Sequence, residues 1–319
     1  MICFVITRSK VRTHRRVRDI PGAPAYRIWT YDAVFRARRL PAATWVFTDL
    51  DRLSFWELEL AAHVYRELLA HGVRVLNDPA KLCQRYALLR RLYVAGFNRF
   101  NVWRVDDASS LNRWPVFLRT ESGHRGVLTD LIEDVEQLGR EIERILAAGY
   151  PSRDLMIVEY CAEPVRDGLF RKLAMFRVGE QMVPTLAVHD TDWIAKAGKH
   201  AVADAEHYEE ELAGMSDNIY SDALKQAFTI GETDYGRADF SLVGGKPQVY
   251  EINTNPSIGR VKKHPYATRI QASQLWEQNF VAALRAIDSP AGPTVKLQDE
   301  HLRKQRWRDI FLLRSRWVR

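Results

Sequence analysis

Five polar residues stand at alternate positions around a glycine turn in YGRADFSLVGGKPQVYEINTNPSIG, residues 235–259: Arg237, Asp239, Glu251, Asn253 and Asn255. A half-buried strand alternates apolar and polar residues to place one face in the core. Here the polar places hold carboxylates, amides and an arginine instead of the Lys, Thr and Ser of a solvated face. The runs RADFSLV and QVYEINTN flank GGKP, a hairpin signal. Residues directly opposed in an antiparallel pair share a face, so Asp239 opposite Glu251 also sets Arg237 opposite Asn253. That register calls for a three- or five-residue loop, since a two-residue loop sends the two carboxylates to opposite faces. Phe240, Leu242, Tyr250 and Ile252 then turn toward the core.

Two carboxylates about 5 Å apart on a strand face repel, and one pKa rises. A hard divalent cation removes the conflict, because Mg²⁺ takes one or two carboxylates while phosphates and water complete its octahedron. The competing reading is a salt-bridged surface hairpin in which Arg237 neutralises Asp239.

Other chemistry is thinner. Gly123 and Gly126 flank His124 and Arg125, a loop whose backbone N–H groups can approach phosphates. Cys83 lies in an apolar helical stretch and reads as core. Cys3, Cys83 and Cys161 are too few and too scattered for a disulfide framework or a zinc pattern, and no HExxH occurs. Lys196, beside Trp193, is either a substrate contact or a solvated loop lysine.

The elements that must carry these residues follow from pattern. TWVFTD, SFWELELAAHVYRELLAHG and VRVL read as strand, helix and strand, with Ser54 and Glu57 as a capping box and Gly72 at the C-cap. Such a βαβ unit favours parallel pairing. A helix near 79–95, a strand at 115–120, a long amphipathic helix from LTDLIEDVEQ onward and a strand at 155–160 come next. After the Cys161–Pro164 exit, residues 169–179, 181–188, 237–243 and 248–254 read as antiparallel strands, with helices near 204–214, 218–229 and 272–287. The class is therefore α/β and α+β.

The chain has 319 residues, 46% hydrophobic and 27% charged, with no apolar run long enough to span a membrane and too few apolar N-terminal residues for a signal peptide. A reduced, cytoplasmic protein is the expectation. The net charge of +7 is concentrated at the ends: residues 1–40 hold ten Lys/Arg against two acids and residues 299–319 hold seven against three. The body is mildly acidic and lacks an aromatic-interleaved basic stripe, so no DNA partner is expected. The basic, aromatic tail RKQRWRDIFLLRSRWVR is expected to dock on its own protein or a second subunit, with a membrane surface or an acidic partner as the alternative.

The hairpin block resembles the C-terminal core of the ATP-grasp superfamily, with its Arg-x-Asp strand, glycine turn and Glu-x-Asn-x-x-Pro strand. The likeness extends upstream through VLNDPAKLCQRYALLRRLYVAGF, WPVFLRTESGHRGVLT, LMIVEYC and DGLFRKLAMFRVGEQMVP, in the family's order. It implies an ATP-grasp fold with a small N-terminal α/β pre-grasp domain at 1–76, a lid or small subdomain at 77–161, a core at 162–290 and a basic tail at 291–319. By the resemblance, Asp239, Glu251 and Asn253 hold Mg²⁺, with Mn²⁺ as a substitute, between the phosphates of ATP. Arg237 faces the transferring phosphate or the acyl phosphate, and Asn255 sits at the substrate edge. Glu159, Tyr160 and Cys161 form the hinge around adenine, and the loop carrying Gly123 and Gly126 closes over the phosphates. Arg119 and Arg85 stand where the family often has lysines, with Lys81 as the alternate to Arg85. Lys172 or Arg171 reaches substrate or phosphate. The implied activity is joining a carboxylate to an amine through an acyl phosphate, ATP giving ADP and phosphate. A small-molecule kinase and a non-catalytic nucleotide-binding or partner protein remain alternatives, and a homo-oligomer is compatible with all three. Arg171, Lys172, Lys196, Arg260, Lys262 and Lys263 would line the acceptor side, which suits an amino acid or peptide carboxylate.

Overall fold

Ile2–Ile6 form β1, five consecutive apolar residues that are fully buried. An unbroken apolar run of this length suits a strand covered on both faces. The computed structural model describes residues 1–319 except 123–125, 196–200 and 308–319. After β1 come α1 (Arg12–Arg15), β2 (Tyr26–Thr30), α2 (Tyr31–Arg36), the short β3 (Arg39–Pro41), β4 (Thr44–Phe47), α3 (Phe55–Ala70) and β5 (Val75–Leu76). Strands β2-β1-β4-β5 make one parallel sheet. The expected capping box is present: Ser54 Oγ accepts the Glu57 N–H at 3.3 Å, and the Glu57 carboxylate accepts the Ser54 N–H at 2.8 Å. Gly72 follows the helix at φ +70°, a conformation open to glycine at little cost.

The next unit holds α4 (Arg85–Val94), β6 (Val102–Arg104), β7 (Val116–Thr120), α5 (Val135–Ala147) and β8 (Leu155–Glu159), with β6 and β7 antiparallel to β8. Both helices begin later than expected. Asp78 accepts the Ala80 N–H on its side chain and the Lys81 and Leu82 N–H groups on its carbonyl, so a turn occupies 78–82. That places Lys81 in an exposed turn and Arg85 at the first residue of α4. Ahead of α5, Val127 and Ile132 bridge to Arg119 and Val116, so that part of LTDLIEDVEQ runs along β7 until Asp134 caps the helix.

The third unit comprises β9 (Phe170–Val178), β10 (Gln181–Asp190), α6 (Ala205–Asp217), α7 (Ser221–Ile230), β11 (Tyr235–Val243), β12 (Lys246–Asn253) and α8 (Ala267–Ile287). Its antiparallel sheet has the order β10-β9-β11-β12. Trp276 and Phe280 of α8 pack with Phe176 on this sheet and, in the same cluster, with Phe4 of β1. Asn77, at φ +63°, ties the units together: its Nδ2 donates to the carbonyls of Phe47 and Tyr235, both at 2.8 Å.

Residues 294–302 pack on the body. β13 (Thr294–Lys296) pairs with β3, and Val295, Leu297 and Leu302 are buried in the N-terminal core. Of the tail expected to dock, RKQRWRDIFLLRSRWVR, Arg306 Nη1 donates to the Ala37 carbonyl at 2.9 Å, and residues 308–319 lie outside the described residues. Among the described residues no helix is long and apolar enough to cross a membrane.

Candidate active site

The β11–β12 hairpin has the expected pairs, Asp239 with Glu251 and Arg237 with Asn253, but reaches them by another route. Its loop is the two-residue Gly244–Gly245, both at positive φ (+56° and +72°), which suits a tight hairpin turn. From Val243–Lys246 to Phe240–Val249 the ladder runs in the two-residue register, and then shifts by one before Asp239–Glu251. Tyr250 is the extra residue, a β-bulge that restores the parity the short loop would have lost. The bulge also corrects the expectation that Tyr250 turns wholly to the core. Its side chain borders the cavity on the site face, and its hydroxyl donates to the Cys161 carbonyl at 2.7 Å and pairs closely with Ser241.

On this face each carboxylate meets cations. Asp239 accepts from Arg237 Nε at 2.7 Å and Nη2 at 3.2 Å, and Lys172 Nζ lies 3.8 Å away. Glu251 is paired directly with Arg85, and Arg119 stands 3.9 Å from it. Arg85, Arg119, Lys172 and Arg237 thus surround two carboxylates. Burial, with Arg85 nearby, lowers the Arg119 pKa to about 10 against the pull of Glu251, and its Nε is buried with no hydrogen-bond partner. The charge balance is positive in a poorly solvated place. Asn253 Oδ1 accepts the Asn255 N–H at 2.8 Å, and Asn255 Nδ2 donates to Asp49 Oδ1 at 2.9 Å. Asn255 therefore reaches the carboxyl end of the parallel sheet, where Asp49, at φ +59°, also accepts the Thr7 N–H at 3.3 Å.

Beside the charged face lies a cavity of about 180 Å³ between the β6–β8 and β9–β12 sheets. Its apolar lining includes Phe117, Val158, Cys161, Trp193 and Tyr250, and its charged lining includes Arg119, Lys172, Asp239 and Glu251. Trp193 packs 4.9 Å from Phe117 and edge-on to Tyr160 at 5.5 Å. Glu159 lines the cavity, yet its carboxylate accepts the Asn101 N–H at 2.8 Å, with Arg113 at 3.8 Å. The Tyr160 N–H donates to Pro115 at 2.9 Å. Burial raises the Cys161 thiol pKa, which disfavours a nucleophilic thiolate.

Gly126, at φ +94°, borders the cavity, whereas Gly123, His124, Arg125 and Lys196 lie outside the described residues. Arg171 lines the cavity but pairs with Glu210 at 2.9 Å. Arg260 is committed to Glu277 at 2.7 Å, while Lys262 and Lys263 are exposed. Sequence reasoning missed Trp193 and Tyr250 as cavity walls and Asp49 as the partner of Asn255. Trp193 stood in plain view beside Lys196; the other two had no local signal.

No family model and no curated protein matches the chain. Among solved structures it is similar to the VanG D-Ala:D-Ser ligase from Enterococcus faecalis, with a TM-score of 0.51 at 11% identity over 90% of this chain and 98% of that one. A D-alanine–D-alanine ligase from Coxiella burnetii gives 0.49 at 13% identity, over 100% and 99%. The ATP-grasp ligase PsnB, complexed with a minimal precursor, gives 0.48 at 12%, over 89% and 98%. The chain shares its mixed helix-and-sheet fold with the D-Ala:D-Ser ligase over nearly the whole length of both. At these identities the likeness is one of fold.

Proposed function

We propose that this protein is an ATP-dependent ligase that joins a carboxylate to an amine. The observation that carries this reading is the union of an aromatic-walled cavity with a cation-rich face bearing two opposed carboxylates. The first end suits a planar base, and the second suits phosphates with a metal ion. The residues fit that group. The four cations outnumber the two carboxylates, and the buried Arg119 Nε has a donor to spare for a phosphate oxygen.

In this reading Asp239, Glu251 and Asn253 hold Mg²⁺; the Asn253 Oδ1 has a second lone pair beyond the one used by Asn255. Arg85, Arg119 and Lys172 hold phosphates, and Arg237 stabilises the oxyanion at the reacting carboxylate. When bound, ATP supplies the phosphoryl group that activates the carboxylate as an acyl phosphate, and Mg²⁺ offsets charge on the phosphates. Tyr160, Trp193 and Tyr250 shield the base end from water. Asn255, held by Asp49, orders the substrate edge, and the exposed Lys262 and Lys263 favour an amino acid or peptide carboxylate as substrate.

The Arg237–Asp239 and Arg85–Glu251 pairs favour a second reading, in which the hairpin is a self-neutralised ion-pair network in a partner-binding protein. Calorimetry with a non-hydrolysable ATP analogue separates the two. Mg²⁺-dependent binding that is lost in both Asp239→Ala and Glu251→Ala supports the ligase site and justifies screening carboxylates and amines for phosphate release. Absence of nucleotide binding to the native chain under every metal condition overturns it.

A further inference from the structure

Glu59 and His63 are one helical turn apart on α3, and His301 is brought against them by the docked C-terminal segment. Glu59 Oε1 lies 4.0 Å from His63 Nε2 and 3.9 Å from His301 Nδ1, and the three ligand atoms fall within 4.8 Å of one another. The two imidazoles stack, with centroids 4.3 Å apart and planes at 16°. On the far side of His63, Asp299 Oδ2 lies 2.9 Å from Nδ1. An aspartate there can accept from Nδ1 and leave Nε2, 4.0 Å from Glu59, available to a metal.

We propose that Glu59, His63 and His301 form a binding site for a divalent transition-metal ion of the zinc class, with Asp299 orienting His63. Two imidazoles and a carboxylate are the donors Zn²⁺ prefers, and three protein ligands leave a fourth position for water. Tetrahedral Zn²⁺ with bonds of about 2.0–2.1 Å needs donors roughly 3.3–3.5 Å apart and lone pairs turned to one point, so closing the site takes donor shifts of up to about 1.4 Å and the turning of one imidazole out of the stack. The side chains are 49%, 28% and 51% exposed, which gives them room to make that adjustment. The ion would fasten the C-terminal segment to α3, where Leu297 and Leu302 are already buried and the Gln298 N–H donates to Glu67 at 2.9 Å. The other cluster of this kind among the described residues, Asp167, Asp204 and His207, differs in a decisive way. There Nδ1 of His207 already bonds to the Asp204 carboxylate at 2.7 Å, within the capping box of α6.

The inference is independent of the ligase reading. The test uses the full chain without a polyhistidine tag, stripped with a chelator, and Zn²⁺ or Co²⁺ alone as the probe. One ion should bind per chain, with Co²⁺ giving the visible absorption of a four-coordinate site. His63→Ala and His301→Ala should each abolish binding, and Asp299→Asn should weaken it about 10–100-fold. Asp239→Ala should leave it unchanged, which separates this ion from one at the hairpin. Circular dichroism checks that the variants remain folded. Binding weaker than roughly 0.1 mM by the native chain, or full stoichiometry in both histidine variants, overturns the proposal.

Discussion

In the parallel sheet β1 and β4 are buried along their whole length, whereas the antiparallel sheet turns one side of β11 and β12 toward a cavity and arms it with ionic groups. The physical difference lies in coverage. A strand packed on both faces has no place for an unpaired carboxylate, because burying one costs several kcal/mol without compensation. A strand with one open face can hold carboxylates and arginines at alternate positions while its other face remains in the core. The first sheet therefore supports the molecule, and its contact with the candidate site comes from its carboxyl ends, where Thr7 and Asp49 meet Asn255. The second sheet is where binding chemistry can reside.

Substitution in the two sheets should accordingly damage different properties. Phe4→Ala removes a fully buried ring from the cluster shared with Phe176, Tyr235 and Phe280. Denaturant unfolding should show a loss of about 3–5 kcal/mol. A loss below about 1 kcal/mol would mean that β1 is not the joint between the sheets that its burial implies.

A smaller effect is expected from pH. Burial lowers the pKa of His14, which bonds to the Tyr235 hydroxyl at 3.0 Å, to about 3, and it lowers that of His189 to about 4. Below about pH 6.5 the unfolded chain binds protons that the folded chain refuses, so stability falls as pH drops through that value toward the folded pKa. From pH 6.5 to 5, His14 alone should cost about 1.6 kcal/mol, since the slope reaches roughly 1.4 kcal/mol per pH unit only once the unfolded imidazole is fully protonated. Unfolding midpoints of the native chain and His14→Gln at the two pH values provide the check. A variant as pH-sensitive as the native chain would remove His14 from the account.

The smallest effect sharpens the hairpin side. A Cβ at Gly245 would meet no atom within 4 Å, but φ is +72° there. Gly245→Ala should cost about 1–2 kcal/mol through the backbone alone and, on the proposed function, leave nucleotide affinity unaltered in the folded protein. A large loss of affinity with little loss of stability would show that the turn sets the site and not merely the strand ends.

Much of this was legible along the chain. Alternation marked the site face, the paired numbering of Asp239 and Glu251 was correct, and Ser54–Glu57 and Gly72 bounded α3. The route to the register was not legible. Two glycines make a two-residue turn, and parity then depends on a bulge at Tyr250, whose hydroxyl bonds to Ser241 across the hairpin and to Cys161 from elsewhere in the fold. The late starts of α4 and α5 have the same origin. A turn around Asp78 and pairing along β7 outcompete helical hydrogen bonds whose local preference is weak.

The sequence by itself determined the strands, the polar face of the hairpin and the order of the blocks, because these depend on periodicity and turn chemistry acting over a few residues. Only the tertiary structure decided which cations meet which carboxylates. Arg85 reaches Glu251 across 166 positions and Asn255 reaches Asp49 across 206, while His301 lies against a helix that begins at Phe55. Charges attract over distances that a local pattern does not encode. Their pairing is settled by the packing of sheets and helices that carry them, and by the loss of solvent that makes each remaining partner count.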